Sequence, residues 1–187
     1  MSLDVNGINV GQSGTALSFT NTLGKTWNVS SGGIVTKPSQ VYFTAAGTTG
    51  YVNMTTSGWY KIILQSVVNI GGTAYDITNS RFTAPVDGIY FFTGTSYLTN
   101  TSNNAAVYYH PMFFVNGSGA GRAPYTTMYR MRHYGFAASS YDDGMVTQIY
   151  YLLAGDYVEY YHYFNNPDTG YAQYYDYYTR FSGILIG

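Results

Sequence analysis

The histidines are the first residues that could carry chemistry in this chain of 187 residues, and none belongs to a recognisable metal-binding motif. They are His110, His133 and His162, and each stands among tyrosines. Zinc sites combine histidine with cysteine or carboxylate ligands at short, defined spacings, but the chain has no cysteine. We therefore predict structural histidines and no metal, and we exclude disulfides and thiolate chemistry.

The acidic residues form no catalytic pattern either. Glu159 is the only glutamate, so the carboxyl pair used in glycoside hydrolysis is poorly supplied. Asp142 and Asp143 could bind calcium, but such a site takes roughly six to eight oxygen ligands, and only these two acidic ones are evident. The chain also lacks a phosphate-binding glycine loop and a Gly-x-Ser-x-Gly motif. The sequence predicts a protein that is not an enzyme and has no cofactor, with calcium as the open alternative.

Charge and composition exclude further classes of protein. Charged residues make up only 9% of the chain and the net charge is −1, which leaves no basic face for nucleic acid. An aromatic content of 19% argues against disorder. No apolar run approaches the roughly 20 residues of a transmembrane helix, and the N-terminus resembles no signal peptide. We expect no nucleic-acid partner, no membrane partner and no secretion signal.

Tyrosine is unusually abundant, with 23 copies. Its apolar ring and polar tip suit both half-buried sheets and interfaces. Two explanations stay open: these residues are ordinary strand residues, or some of them form a recognition surface.

Three of the positive charges, Arg122, Arg130 and Arg132, lie in the Gly-, Ala- and Ser-containing segment 117–144, while most acidic residues lie nearer the C-terminus. Patches of opposite sign can dock proteins onto one another. Arg130 and Arg132 are therefore candidates for attachment to a neighbouring protein, and a solvated loop face is the alternative.

From residue 41 onward the chain has the pattern of an all-β protein. Short runs rich in aromatic and β-branched residues are separated by turn residues, and no segment has helical periodicity. Many short strands at this spacing indicate a β-sandwich or jelly roll. The predicted strands are 41–44, 60–68, 74–78, 80–84, 89–98, 106–115, 145–153, 157–164, 171–178 and 180–186.

The segment around Pro85 predicts a hairpin. Pro85 lacks a backbone donor and ends the strand that carries Phe82. Gly88 can complete a tight turn, and an aromatic strand follows. Asn116-Gly117 is a second hairpin signal.

Residues 1–40 are rich in Asn, Gly, Ser and Thr, with short apolar clusters between them. Each cluster is strand-like but too short to be stable alone. We predict an N-terminal arm over 1–40 that pairs with another subunit, or else a flexible tether, followed by one domain over 41–187. Phe19 and Trp27 need burial, which makes them candidates for attachment.

Alternation along the predicted strands leaves apolar residues on both faces. An isolated sandwich should be polar outside, so a subunit interface is the simplest explanation. Packing beneath loops is the alternative.

Four segments in order resemble the globular domain of complement C1q, a relative of the tumour necrosis factor fold. They contain Asn69-Ile-Gly-Gly with Tyr75-Asp76, the run from Arg81 to Phe92, Leu152-Leu-Ala-Gly-Asp-Tyr-Val158, and Phe181-Ser-Gly-Ile-Leu-Ile186. The resemblance spans about 41–187, and the lead-in 33–43 resembles C1q-like modules of viral and bacterial head or tail proteins.

The resemblance implies a jelly-roll β-sandwich that forms homotrimers through its inner sheet. Carried over by position, it predicts an interface made by Phe91, Thr93, Met145, Ile149, Tyr151, Phe181 and Leu185. Some C1q-like domains hold calcium, which is why Asp142 and Asp143 stay under consideration.

Two functions follow from these expectations. The first is a bacteriophage virion protein: a trimeric capsid decoration or cement protein on the virion surface, bound to the major capsid protein or another virion protein through its arm. The second is a tail-fibre tip or adhesin that binds host-surface glycan through tyrosines. The chain contains no long fibre shaft, which favours decoration of the head.

Overall fold

All regular structure in the described residues is β-strand. The computed structural model describes residues 2–5, 8–13, 16–21, 26–30, 35–36, 40–48, 51–54, 56–70, 74–100, 106–118, 131–134, 141–165 and 172–186. The strands are β1 Ser2–Val5, β2 Ile8–Ser13, β3 Ala16–Asn21, β4 Thr26–Val29, β5 Val35–Thr36, β6 Tyr42–Ala46, β7 Tyr51–Met54, β8 Gly58–Lys61, β9 Ser66–Ile70, β10 Tyr75–Asp76, β11 Arg81–Thr83, β12 Gly88–Asn100, β13 Ala106–Val115, β14 Met131–Tyr134, β15 Tyr141–Leu152, β16 Tyr157–Asn165 and β17 Ala172–Leu185.

The chain divides into two compact units. The first comprises Met1–Val41 with Ile70–Gly72, and the second comprises Tyr42–Asn69 with Thr73–Gly187. In the first unit, β1 to β5 form one sheet in chain order, and each strand is antiparallel to its neighbours. The short apolar clusters of the N-terminal segment therefore pair with one another within this unit.

The second unit contains two six-stranded sheets. Sheet I has the order β15-β12-β17-β6-β9, with β7 beside β17, and sheet II has the order β10-β11-β16-β13-β14, with β8 beside β16. Strands that follow one another along the chain, such as β11 and β12 or β15 and β16, lie in different sheets. The chain thus winds between two layers, which confirms the predicted all-β jelly-roll sandwich.

The predicted hairpin around Pro85 is wrong. β11 pairs with β10 and β16 in sheet II, whereas β12 pairs with β15 and β17 in sheet I. Local sequence correctly indicates a chain reversal here, but it does not show whether the reversal joins neighbouring strands or crosses between sheets. The hairpin actually made by β11 is with β10, and Asp76 stabilises its turn by accepting hydrogen bonds from the Thr78 amide at 2.8 Å and Asn79 Nδ2 at 2.6 Å.

Two connections that cross between the sheets are hydrogen-bonded to each other. The Ala84 amide donates to the Asp156 carbonyl at 2.8 Å, and the Gly155 amide donates to the Ala84 carbonyl at 2.8 Å. The Ala154 amide donates to Asp87 Oδ1 at 2.7 Å. The β11–β12 connection is therefore bonded to the β15–β16 connection, which satisfies backbone groups that a simple hairpin would have paired locally.

Aromatic rings from both sheets fill the core. The Phe43 ring lies 5.1 Å from that of Phe82 and 4.9 Å from that of Phe181, and the Phe113 ring lies 5.1 Å from that of Phe181. Such large side chains supply most of the apolar area that stabilises a sandwich. Gly183 lies against them, because an added Cβ would come within 2.6 Å of the Phe43 and Phe92 rings.

The turn predicted at Asn116-Gly117 is present. Both residues have positive φ, 52° and 76°, as a tight hairpin turn requires. The segment 117–144, predicted to be the least regular, contributes the strand β14, which pairs with β13.

Candidate functional site

The outward-facing side of sheet I, called here the outer face, presents several exposed apolar side chains on neighbouring strands. On β15 the exposed fractions of Met145, Ile149 and Tyr151 are 59%, 56% and 59%. Their alternating neighbours Tyr150 and Leu152 are buried. A strand that is apolar on both sides has a second face that its own protomer does not cover.

The neighbouring strand β12 continues this face. Phe91 lies opposite Ile149, and Thr93 lies opposite Thr147, while Ile89 opposite Tyr151 is 41% exposed. Five of the residues predicted for a subunit interface, namely Phe91, Thr93, Met145, Ile149 and Tyr151, are thus brought together on one surface. Their role in self-association stays a prediction.

The two residues of β17 that were predicted for the interface, Phe181 and Leu185, lie on the side of sheet I that faces the core. Phe181 has no exposed surface, so it packs in the core and cannot line an interface. Leu185 shares the side of Phe181, because residues four apart on a strand point the same way, and it lies opposite the buried Tyr90. Ile184, opposite Phe91, takes the outer position instead.

Beyond Ile184, the outer face becomes more polar. Ser182 lies opposite Thr93 and Thr44, and its hydroxyl donates to Thr44 Oγ1 at 2.7 Å. Along the strand direction, a groove opens where β17 is irregular next to β12 between Thr95 and Tyr97. It is lined by Thr95, Ser96, Tyr97, Asp143, Gly144, Met145 and Tyr178.

Asp142 and Asp143 lie on β15 opposite Leu98 and Tyr97, and Asp143 is exposed. Within the described ranges, no group of three or more His, Asp or Glu side chains comes together as a metal-ligand set.

Sheet II carries a charge cluster centred on the only glutamate. The Glu159 side chain is only 4% exposed, and its Oε1 accepts from Lys61 Nζ at 2.7 Å and from Arg81 Nη2 at 2.7 Å. The Arg81 guanidinium also lies 3.7 Å above the centre of the Tyr157 ring, and the Tyr161 hydroxyl donates to Glu159 Oε2 at 3.3 Å. These groups form one compact network.

Burial by itself raises the pKa of Glu159, but the hydrogen bonds and charges of Lys61 and Arg81 outweigh it and lower the pKa below its usual value of 4.5. The carboxylate is therefore ionised at neutral pH, and both of its oxygens accept hydrogen bonds. This arrangement stabilises the sheet and does not resemble a general acid or base, whose pKa lies near the working pH.

A row of aromatic rings lies beside this cluster. The Trp59 ring lies 5.0 Å from that of Phe114 and 5.1 Å from that of Tyr163, and the Phe114 ring stacks on that of Tyr161 at 4.1 Å. Trp59 is 42% exposed. We call Trp59, Phe114, Tyr161 and Tyr163 the aromatic row. Sequence patterns contain no specific signal for it beyond the abundance of tyrosine.

The histidines take different positions. His162 is fully buried, and its Nε2 lies 2.9 Å from the Tyr160 hydroxyl; burial lowers its pKa to about 3. The His110 ring lies 5.7 Å from that of Tyr163, and His133 lies on β14 opposite Val107. His110 and His162 thus both pack against tyrosines of β16, and a structural role for the histidines stays a prediction.

The predicted attachment residues belong to different units of the chain. Phe19 and Trp27 are paired across β3 and β4 in the first unit, with ring centres 5.1 Å apart, and Trp27 is 47% exposed. Arg132 lies on β14 opposite Tyr108, and Arg130 lies outside the described residues. Attachment through these residues stays a prediction.

Within the described residues, no helix is long and apolar enough to cross a membrane.

Comparison with known proteins gives similarity at the level of structure only. No family model matches the chain, and no curated protein matches it. The globular domain of the zebrafish complement 1qA protein is 15% identical, with 79% of this chain and 98% of that chain covered and a TM-score of 0.47. The Eiger TNF of S. frugiperda is 10% identical, with 79% and 93% covered and a TM-score of 0.45.

These two proteins represent the C1q and TNF folds that the sequence motifs resemble. The likeness concerns the fold alone. The strand order of the two sheets is what defines the jelly roll here.

Proposed function

We propose that this chain is a non-enzymatic structural protein of a virus particle: a homotrimer that decorates or cements the capsid of a bacteriophage or a similar virus. In this proposal the outer face of sheet I joins the three subunits, and the N-terminal unit fastens the trimer to the major capsid protein or to another virion protein.

The apolar outer face is the observation that carries the proposal. Ile89, Met145, Ile149 and Tyr151 are each at least 41% exposed on adjacent strands. Contiguous exposed apolar surface marks an interaction site in a soluble protein. Its strand-built surface suits a second copy of the same face, and few charges would have to be desolvated on contact.

The trimeric state is taken from the resemblance to C1q domains. The polar edge at Ser182 and Thr44 fits the rim of such an interface, because rims are more polar than interface centres. Self-association of this kind would leave the outward-facing side of sheet II uncovered, because the two sheets pack against each other through their inner sides.

The N-terminal unit supports attachment to a particle. Its five strands form a sheet of their own, and Trp27 exposes a large ring next to Phe19. The sequence lead-in at 33–43 resembles viral modules. A protein that binds the assembled shell and not its free subunits stabilises that shell by mass action.

The alternative is a fibre-tip or adhesin role with host-surface glycan as the partner. The exposed aromatic row on sheet II favours it, because rings of this kind stack on sugars.

Copy number in purified native particles separates the two roles. Quantitative mass spectrometry should find a fixed ratio to the major capsid protein, near one chain or one trimer per few capsid subunits. A handful of copies per particle would instead indicate a fibre tip. Absence from every particle would refute both virion roles.

A further inference from the structure

The aromatic row on sheet II differs in chemistry from the outer face of sheet I. It contains Trp59 on β8, Phe114 on β13, and Tyr161 and Tyr163 on β16. All four residues are aromatic, whereas the outer face of sheet I also contains Ile and Met. The two surfaces therefore suit different partners.

The rings of the row pack against one another. Trp59 touches both Phe114 and Tyr163, with ring centres 5.0 and 5.1 Å apart, and Phe114 is fixed in turn by its stack on Tyr161 at 4.1 Å. The Tyr161 hydroxyl donates to the buried Glu159. A ligand that binds here finds the rings already in place, so little side-chain entropy is lost.

Polar groups border the rings. Lys61 and Arg81 share Glu159 at 2.7 Å each, yet their side chains remain 25% and 33% exposed. Two cations against one carboxylate leave a local charge of +1. Lys61 and Arg81 can thus donate hydrogen bonds to hydroxyl or carboxylate oxygens of a ligand above the sheet. Because both cations are paired with Glu159, neither is an uncompensated charge when a ligand covers it.

Rigid rings with polar donors alongside match a saccharide. One side of a pyranose ring presents weakly positive C–H groups, which are attracted to the negative face of an aromatic ring, and its hydroxyls accept hydrogen bonds at the edge. Aromatic and Arg side chains also anchor protein partners, so the choice of a saccharide rests on the exposed ring face of Trp59 together with the donors beside it.

We propose that the aromatic row, with Trp59 as its stacking platform and Lys61 and Arg81 as neighbouring donors, is a saccharide-binding site. Because the row lies on sheet II, it stays open when copies of the chain meet through sheet I. Three such sites on one trimer would add avidity to a weak single contact. The site does not depend on whether the protein sits on a head or a fibre.

The test uses the full-length protein in its native oligomeric state. An array of purified oligosaccharides that covers neutral hexoses, N-acetylated amino sugars and acidic sugars identifies a ligand, and dissociation constants for that ligand are then compared among variants. Trp59→Ala should weaken binding about tenfold, the value of one aromatic contact, and Trp59→Phe should weaken it less because a ring remains.

Ile77→Ala is the matched control. Ile77 is 44% exposed, close to the 42% of Trp59, but it lies in the turn between β10 and β11, and binding should not change. Thermal unfolding of each variant checks that the fold is intact. The proposal is overturned if no saccharide binds, or if Trp59→Ala and Ile77→Ala bind it equally well. Neither result bears on particle copy number, which tests the virion role separately.

Discussion

Replacing Ile149 by Asp should convert the proposed trimer into monomers. Ile149 lies on β15 in the apolar part of the outer face, opposite Phe91, and exposes 56% of its surface in the protomer. An aspartate there puts a charge where an assembly would bury an apolar group. The protomer loses no buried contact of comparable size, because the side chain is already largely in solvent.

The expected loss of trimer stability follows from the exposed fraction of Ile149. Full burial of an isoleucine side chain contributes about 1.5–3 kcal/mol, so covering the exposed 56% of Ile149 contributes about 0.8–1.7 kcal/mol per copy. Three copies would contribute about 2.5–5 kcal/mol, or roughly two to four orders of magnitude in the dissociation constant of the trimer. Burial of three carboxylates adds a further cost of several kcal/mol per ion.

Sedimentation velocity over a range of protein concentrations measures the assembly state. Ile77→Asp is the matched control, because Ile77 is similarly exposed at 44% but lies in a turn of sheet II. It should leave the trimer unchanged. Ile149→Thr keeps the β-branched shape that strands favour and should weaken assembly in the same direction, by less than aspartate.

Two results would refute the reasoning. The wild-type protein could sediment as a monomer at concentrations of tens of micromolar, far above the dissociation constants of stable interfaces. Alternatively, Ile149→Asp could sediment as the same trimer as the wild type. Either result would mean that the outer face does not join subunits.

Glu159→Gln should lower the free energy of unfolding by about 2 kcal/mol, measured by urea denaturation at pH 7, because Lys61 and Arg81 lose their shared carboxylate. Since interaction with these cations lowers the pKa of Glu159 below 4.5, the difference from wild type should be full above that value and disappear as pH falls through the lowered pKa; a constant difference in acid would contradict this role. Burial lowers the pKa of His162 from 6.5 to about 3, so the unfolded chain binds the extra proton between these values. Stability should therefore fall as pH drops from 6.5 towards 3, by up to about 1.4 kcal/mol per pH unit, and the ring resonances of His162 in NMR spectra should show no titration between roughly pH 8 and pH 5; a titration midpoint near 6.5 would refute this assignment.

Sequence patterns were sufficient to predict the fold class and most strands. Alternation between Ile149 and Tyr150 predicts that β15 is apolar on both sides, and the structure has Tyr150 buried and Ile149 exposed. Such patterns are local, since the two sides of a strand are defined by the chain itself. The same is true of the Asn116-Gly117 turn, whose positive φ values depend on those two residue types.

Local patterns could not decide which side of each strand faces the core. On β17 the sequence offers Phe181 and Leu185 on one side and Ile184 on the other, and both sets are apolar. The register of β17 against β12 decides the matter, because it places Leu185 opposite Tyr90 and Ile184 opposite Phe91. The prediction for Phe181 failed at this step because its side chain is fully buried, whereas Leu185 on the same side stays half-buried.

The sequence by itself determined an all-β protein with apolar residues on both sides of its central strands, because side-chain alternation needs no information from distant residues. Only the tertiary structure decided which surfaces result. Glu159 meets Lys61 from 98 residues away and Arg81 from 78 residues away, and the row of Trp59, Phe114 and Tyr163 needs three strands to lie side by side. Contacts between such distant residues depend on the pairing and register of whole strands, which a short stretch of sequence does not encode.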